Sequence, residues 1–318
     1  MADASQPAAD EADGRARLLT PLLSSAERTT GAVLELSRRR FDFTSRIAVM
    51  GIVNRTPDSF YDRGGTFDFD AAYARGHRLI AEGVDIVDVG GVKAGPGPPV
   101  SVDDERDRIL PIIEALRAES DVVISADTYR PEVAAAALEA GADLVNDVSG
   151  GHNGEILDVV AEHEAGYVAV HHGGEPRTRP FRRGYHPDVT TAVVDACAAL
   201  AERAIERGVA RTRILVDPGH DFQKTTYHSL ELSRRLPELV ALGYPVLVAV
   251  SNKDFIGETL AVGLHERVGG SLATAVFCVL RGAHVVRAHE SSETLQAVRM
   301  TEALLGWHGP AFPVRGLE

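Results

Sequence analysis

Eight short apolar runs in this chain each end on side chains able to do chemistry. In order, the ends carry Asn54, Asp88, Asp127, Asn146, His171 with His172, Asp217, Ser251 with Lys253, and Arg287 with His289. One polar residue in such a place is ordinarily a helix cap. Capping alone does not account for eight. Three carboxylates and two amides can accept from and donate to the ring N–H and amino groups of a planar, nitrogen-rich heterocycle. Lys253 adds a donor for a ring nitrogen or carbonyl. Arg287 and His289 suit a phosphate, and Asn54 with Thr56 offers hydrogen bonds to phosphate oxygens or a metal-bound water. The rival chemistry is metal-dependent hydrolysis, for which twelve histidines are available. The first run ends "VMGIVN" without an H-x-H pair, and the other histidines lack ligand spacing, so a dedicated zinc site is not expected.

These residues converge only if the runs are strands whose ends share one face. The pattern predicts strands at 47–53, 84–89, 122–126, 144–148, 167–170, 214–216, 245–250 and 284–286. They are short, rich in β-branched residues and non-alternating, as strands buried on both faces are. Between them lie helix-forming stretches such as "PEVAAAALEAGA" and "DACAALAERAIERGVA". Gly83, Gly141, Gly166, Gly208, Gly243 and Gly282 each stand just before a strand, where a left-handed glycine closes the preceding helix. The expected fold is α/β, a (β/α)8 barrel with its chemistry at the C-terminal strand ends. An open doubly wound sheet would carry a G-x-G-x-x-G turn, and none occurs. Residues 32–43 read as a hairpin preceding the barrel, with Arg38 to Arg40 as a solvated turn. Residues 1–30 have the composition of an unstructured acidic tail, residues 31–310 form the barrel unit, and 311–318 a short C-terminal tail.

Composition narrows the partners. The 318 residues are 44% hydrophobic and 25% charged, with a net charge of -13. That balance disfavours nucleic acid and anionic membranes, so an anionic ligand needs a local basic cluster. No apolar run is long enough to span a bilayer, and the acidic N-terminus is not a secretory signal. Cys197 and Cys278 sit in apolar helical stretches as buried thiols. A cytoplasmic protein is expected.

At these motifs the chain resembles the dihydropteroate synthase family, from about residue 32 to 305. "MGIVNRTPDSFYDRGG" (50–65), "DIVDVGG" (85–91), "SADT" (125–128), "VNDVSG" (145–150), "VDPGHDF" (216–222), "SNKDFIGE" (251–258), "ERVGGSLATA" (266–275) and "GAHVVRAHE" (282–290) follow in family order. The resemblance implies joining 6-hydroxymethyl-7,8-dihydropterin pyrophosphate to p-aminobenzoate with release of pyrophosphate. It assigns the pterin ring to Asp88, Asp127, Asn146, Asp217 and Lys253, the pyrophosphate to Asn54, Arg287 and His289, and Mg2+ to the neighbourhood of Asn54. Lys253, Asp127 and, in the first loop beside Tyr61, Asp62 are the implied catalytic residues. Homodimers through the outer helices are common in the family, with 271–280 as the candidate surface here.

The same resemblance marks departures. After "DVGG" the family usually runs Glu-Ser-Thr-Arg-Pro-Gly. Here it runs Val92, Lys93, Ala94, Gly95, Pro96, Gly97. The Thr and Arg that help form the p-aminobenzoate site become Ala94 and Gly95. Asp221, before Phe222, replaces a common glycine; Asn252 and Asp254 replace arginine and serine; His172 replaces methionine; Arg55 adds a charge to the first loop. Asp221 either caps a turn or faces the pocket, and Asp254 either caps a helix or faces it. Lys93 is either solvated or, like Arg55, a compensating cation. The stretch "EPRTRPFRR" (175–183) is a charged loop or a substrate-facing one. If Asp221 and Asp254 border the second-substrate pocket of Ala94, Gly95, Pro96 and Phe222, a benzoate anion is repelled. The expectation is a pterin pyrophosphate-binding barrel whose condensation onto p-aminobenzoate is weak, lost or redirected to another amine. The alternatives are an ordinary synthase, a non-catalytic pterin-binding paralogue, and a pterin-binding barrel of the corrinoid methyltransferase type.

Overall fold

A computed structural model describes residues 32–56, 65–175, 177 and 184–315. The acidic tail, Tyr61 and Asp62 lie outside the described residues, as does most of 175–183. Two strands, β1 (Val33–Glu35) and β2 (Arg40–Asp42), pair antiparallel as the expected hairpin. Eight parallel strands follow: β3 (Ala48–Asn54), β4 (Ile86–Gly90), β5 (Val123–Asp127), β6 (Leu144–Asp147), β7 (Gly166–Val170), β8 (Ile214–Asp217), β9 (Leu247–Val248) and β10 (Val285–Ala288). Their order is β8-β7-β6-β5-β4-β3-β10-β9, and a parallel bridge from Val216 to Val246 closes the ring. This is the expected (β/α)8 barrel.

Alternation along each strand separates two cores. Val49, Val53, Val87, Val89, Ile124 and Val145 pack outward under the helices. Met50, Ile86, Val123, Leu144, Leu215, Leu247 and Val285 point to the axis, where Leu34, Leu36, Phe41 and Phe43 of the hairpin join them and stopper the barrel's N-terminal end.

The outer helices are α1 (Phe69–Glu82), α2 (Val102–Glu119), α3 (Pro131–Glu139), α4 (Glu155–Glu162), α5 (Val189–Glu206), α6 (Thr226–Arg234), α7 (Leu236–Val240), α8 (Asp254–Leu260), α9 (Val268–Leu280) and α10 (Ser291–Leu304). Their starts follow local chemistry. The Asp68 carboxylate accepts the amides of Asp70 and Ala71, Ser101 that of Asp104, and Asp188 that of Thr191. The expected pre-strand glycines have positive φ except Gly166. There the turn is taken by Glu164 at φ 49°. Gly166 opens β7 instead, where a Cβ would fall 2.5 Å from Leu144 and 2.6 Å from Leu36. Its smallness seats the hairpin. Among the described residues, no helix is long and apolar enough to cross a membrane.

Of the expected solvated turn, Arg40 is exposed and pairs only with Glu35, whereas Arg38 and Arg39 reach buried carboxylates. Arg39 and Arg46 each reach Asp85 Oδ1 at 2.9 Å, Arg299 reaches Oδ2 at 3.2 Å, and the Val49 amide donates to Oδ2 at 3.1 Å. Arg38 and Arg117 hold Asp143 in the same way, at 3.2 and 2.6 Å. Asp85 and Asp143 immediately precede β4 and β6, so buried carboxylates tie the hairpin and α10 to the strand starts. Asp85→Ala leaves three partly exposed guanidinium groups without their shared partner and the Val49 amide without that acceptor. We expect a loss of about 3 kcal/mol in urea unfolding; a loss below about 1 kcal/mol would show that the cluster is dispensable.

Candidate active site

The last inward-facing residue of most strands is polar. Asn54, Asp127, Asn146, Asp217 and Arg287 meet at the C-terminal mouth of the barrel, with Lys253 and His289 just beyond β9 and β10. They line one cavity of about 770 Å3 that includes its solvent-open mouth. On β4 the corresponding place is Gly90, where a Cβ would lie 3.4 Å from both the Asn54 side-chain oxygen and the Asp127 Cβ. These are ordinary contact distances, and glycine simply presents no side chain to the cavity.

One cation organises the floor. Arg287 crosses the barrel, donating from Nε to Asp88 Oδ2 at 2.6 Å and from Nη2 to Asp127 Oδ2 at 2.8 Å. Asn146 Nδ2 approaches the same Asp88 oxygen at 3.4 Å. Two carboxylates sharing one guanidinium in a dry place are hard to ionise together. Burial, and then the charge of Asp88, push Asp127 up to about 7. Burial also raises Asp217 to about 6, although the Gly219 amide donates to it at 2.7 Å and Lys253 and Arg287 oppose the shift. Asp88 is fully buried beneath Arg287 and does not line the cavity.

The wall opposite the floor is aromatic. Lys253 Nζ stands 4.6 Å above the Phe222 ring, and His172 packs behind that ring at 4.9 Å between centroids. Burial lowers the His172 pKa, so the imidazole is a neutral support. His171 turns away from the cavity and meets Lys224 Nζ at 2.8 Å. Lys224 was not singled out from the sequence. Its fully buried ammonium also donates to the carbonyls of His171, Gly219 and Phe222 at 3.2, 2.9 and 3.0 Å, knotting the loop that carries Asp217 and Phe222. The available signal was its place at the end of "DPGHDFQK". A second knot joins the ends of β9 and β10: the Glu290 carboxylate accepts from Ser251 Oγ at 3.0 Å and Asn252 Nδ2 at 2.7 Å, and Ser251 Oγ accepts the His289 amide at 3.1 Å.

A deep pocket with two acids, two amides, a lysine and an arginine at its base suits a planar ligand bearing several N–H and carbonyl groups. A family model described as pterin binding enzyme matches residues 50–289. The chain belongs to the pterin-binding enzyme family. A Mycobacterium leprae protein named inactive dihydropteroate synthase 2 is 52% identical over 278 residues, covering 86% of this chain and 95% of that one. A dihydropteroate synthase of Synechocystis is 40% identical over 274 residues, covering 85% and 94%. Among solved structures, the dihydropteroate synthase of Xanthomonas albilineans with 4-aminobenzoic acid has a TM-score of 0.78 at 36% identity, covering 89% of this chain and 100% of that one.

In this pterin-binding barrel several loop residues stand elsewhere than the sequence reading had them. Asp221 does not face the cavity. At φ 67° its carboxylate turns to α8, taking the Asp254 amide at 2.6 Å and the Phe255 amide at 3.4 Å, with Ser229 on its other oxygen. Asp254 pairs with Arg267 at 2.9 Å. It does not cap α8, since the capping carboxylate comes from Asp221. Both acids border a separate cavity with Glu258. The expected repulsion of a benzoate anion by this pair is therefore corrected: one carboxylate is spent on amides, the other on a guanidinium. Asn252 likewise faces Glu290 and Ser271, away from the cavity. Arg55 is no compensating cation. It donates to the carbonyls of Phe67 and Arg108 at 3.0 and 2.8 Å and pins the first loop to α2. Ala94, Gly95 and Lys93 do line the main cavity, whereas Pro96 is exposed.

The raised acids make stability depend on pH in a defined direction. Between the ordinary carboxylate range and about 7, the folded state keeps a proton on Asp127 that the unfolded chain releases, so the contribution of Asp127 declines as pH rises. Asp127→Asn should therefore gain thermal stability relative to the unaltered protein between pH 5 and 7.5. Parallel melting curves across that range would exclude a raised Asp127.

Proposed function

We propose that this chain is a cytoplasmic dihydropteroate synthase-like protein that binds 6-hydroxymethyl-7,8-dihydropterin pyrophosphate, and that its condensation onto p-aminobenzoate is weak, lost or redirected to another amine. The observation that carries this is the unequal state of the two halves of the cavity. Asp127, Asn146, Asp217 and Lys253 line one cavity, as a planar ring requires, and Asn54 and His289 line it too for a diphosphate, while Arg287 is engaged with Asp88 and Asp127. The β4 loop, by contrast, presents Ala94 and Gly95, which offer no side-chain donor, beside Lys93. The names of the mycobacterial relatives, inactive dihydropteroate synthase 2, support the second half of the reading. Solved structures of family members hold 4-aminobenzoic acid and 7,8-dihydropteroate.

In this reading, departure of pyrophosphate leaves a resonance-stabilised pterin cation for an amine to attack, and the protein's part is positioning and charge stabilisation. Asp127, Asp217 and Asn146 hold the ring N–H groups, Lys253 its acceptors, and His289 with Asn54 the leaving diphosphate. Arg287 keeps the ring acids in place. Mg2+ fits as an ion carried by the diphosphate: among the described residues no cluster of three acidic, histidine or cysteine side chains could cage a metal, and Mg2+ typically keeps waters while taking one or two protein oxygens. Asn54 offers such an oxygen. When bound, the ion would offset phosphate charge. The exposed Phe277 and Leu280 of α9 with Met300 and Leu304 of α10 support a homodimer through these packed helices.

Incubation of the purified protein with pterin pyrophosphate and Mg2+, with and without p-aminobenzoate, tests the reading. Pterin binding with dihydropteroate formed at least 100-fold more slowly than by an active family member is expected. Formation at an ordinary rate overturns the impaired second half, and absence of pterin binding overturns the first. Lys253→Ala should weaken pterin pyrophosphate binding at least tenfold by calorimetry, with the fold intact by circular dichroism; unchanged affinity removes Lys253 from the ring site.

A further inference from the structure

Lys253 reaches the cavity from a turn fixed by its neighbours. Asn252, the residue before it, is fully buried with a left-handed backbone at φ 57°. A residue other than glycine keeps that conformation where surrounding contacts over-determine it. Here the start of α9 supplies them. Ser271 Oγ accepts the Asn252 amide at 3.0 Å, and Arg267 Nη1 donates to the Asn252 carbonyl at 2.9 Å. Arg267 and Ser271 are an i, i+4 pair, so both reach the turn from one face of the helix. The same Nη1 donates to the Asp254 carboxylate at 2.9 Å. One guanidinium therefore touches the residue on each side of Lys253.

The guanidinium is itself seated. Gly257 is buried within α8, and a Cβ there would fall 2.5 Å from Arg267 Nε, 2.6 Å from Nη2 and 2.7 Å from Cζ. Glycine lets the planar group lie against the helix backbone. The Arg267 Nε–H is buried without an acceptor, so that edge contributes contact and no hydrogen bond. The arrangement needs a flat group with a donor at its far end, which a lysine ammonium does not provide. On the other side of the turn the Asp221 carboxylate takes the Asp254 amide at 2.6 Å. Lys253 thus leaves a backbone clamped before and after it, with Nζ 4.6 Å above the Phe222 ring.

We propose that Arg267 is a positioning residue for Lys253: by fixing the Asn252 turn and the first residue of α8, it sets where the Lys253 ammonium stands. Gly257 is part of the device, since a side chain there displaces the guanidinium. Arg267 is not among the described residues that line the main cavity, and its influence on a ligand passes through Lys253. The ligand arm of the test rests on the reading that the cavity takes pterin pyrophosphate; the placement of Lys253 does not.

Calorimetry with pterin pyrophosphate and Mg2+ on the full chain is the first arm. Arg267→Met should weaken binding about fivefold, Gly257→Ala by a similar factor and Arg267→Lys by less. In the Lys253→Ala background, Arg267→Met should change affinity by less than about twofold, because the group through which it acts is gone. An equal loss in both backgrounds overturns the proposal. The second arm needs no ligand. Lys93, Lys224 and Lys253 are the chain's three lysines, so carbon-13 labelling of lysine gives three side-chain signals by NMR, with Lys253 identified by its absence in Lys253→Ala. The Phe222 ring displaces the Lys253 signal from that of a solvated lysine. Arg267→Met and Gly257→Ala should each remove most of that displacement and leave the Lys224 signal in place. An unmoved Lys253 signal, or equal movement of Lys224, overturns the proposal. If the unaltered chain binds no pterin pyrophosphate, the ligand reading alone fails and the NMR arm decides Arg267.

Discussion

The buried ion cluster of Arg287 with Asp88 and Asp127 is the constraint around which the site is built. One guanidinium in a dehydrated barrel interior stabilises two carboxylates that would otherwise repel each other. The cluster links β4, β5 and β10 across the barrel axis, and Asn146 on β6 leans on it at 3.4 Å. Its position is fixed by register: Asp88 pairs with Ser125, and Asp127 with Gly90 and Asn146. A slip of one residue in β4 or β5 would turn its acid to the other face of the strand, away from Arg287. The apolar stopper beneath and the arginine–carboxylate network at the strand starts hold that register. Stability and ligand chemistry are therefore opposed at the cluster, since it keeps acids where only a ligand or Arg287 can satisfy them.

Above the strands, loops are held by charge where apolar contacts run out. Lys224 is an internal ammonium coordinated by backbone carbonyls. The approach it braces is close: Gly219 passes so near β7 that a Cβ there would sit 2.0 Å from the His171 carbonyl. Glu290 performs the complementary task with donors from Ser251 and Asn252. In both cases a side chain of one charge gathers backbone or amide groups of opposite polarity, and the beneficiary is a neighbour. Phe222 is set beneath Lys253 in the first case, and Lys253 and His289 are oriented in the second.

The strands were legible because runs of Val, Ile and Leu buried on both faces have little other use, and the polar ends because their number exceeds what capping requires. Convergence in space was only partly legible. The Arg287–Asp88 pair spans 199 positions of chain, and nothing local announces it. Side-chain direction in loops was not legible at all. Asp221 stands beside Phe222, yet a positive φ carries its carboxylate to the amides of α8. Aspartate tolerates that conformation well enough to leave no mark in the sequence. Arg38 to Arg40 read as solvent-facing because a triple arginine ordinarily is. Only closure of the barrel brings Asp85 and Asp143 beneath them.

This contrast explains how ancestry and activity can part within one cavity. The strand-end half of the cavity is written into strand registers, where a change of residue costs the fold as well as the cavity. The other half is lined by the loops after β4 and β8, whose backbones are tied down by Arg108, Lys224 and Asp221 through contacts independent of what the loop tips present. With the loops anchored from behind, their tips are free to exchange a threonine and an arginine for Ala94 and Gly95 at little structural cost. Condensation depends on the angle between an amine and a carbon, while binding depends mainly on the charge and shape around the acid. A loop exchange of this kind therefore lowers a rate before it lowers occupancy.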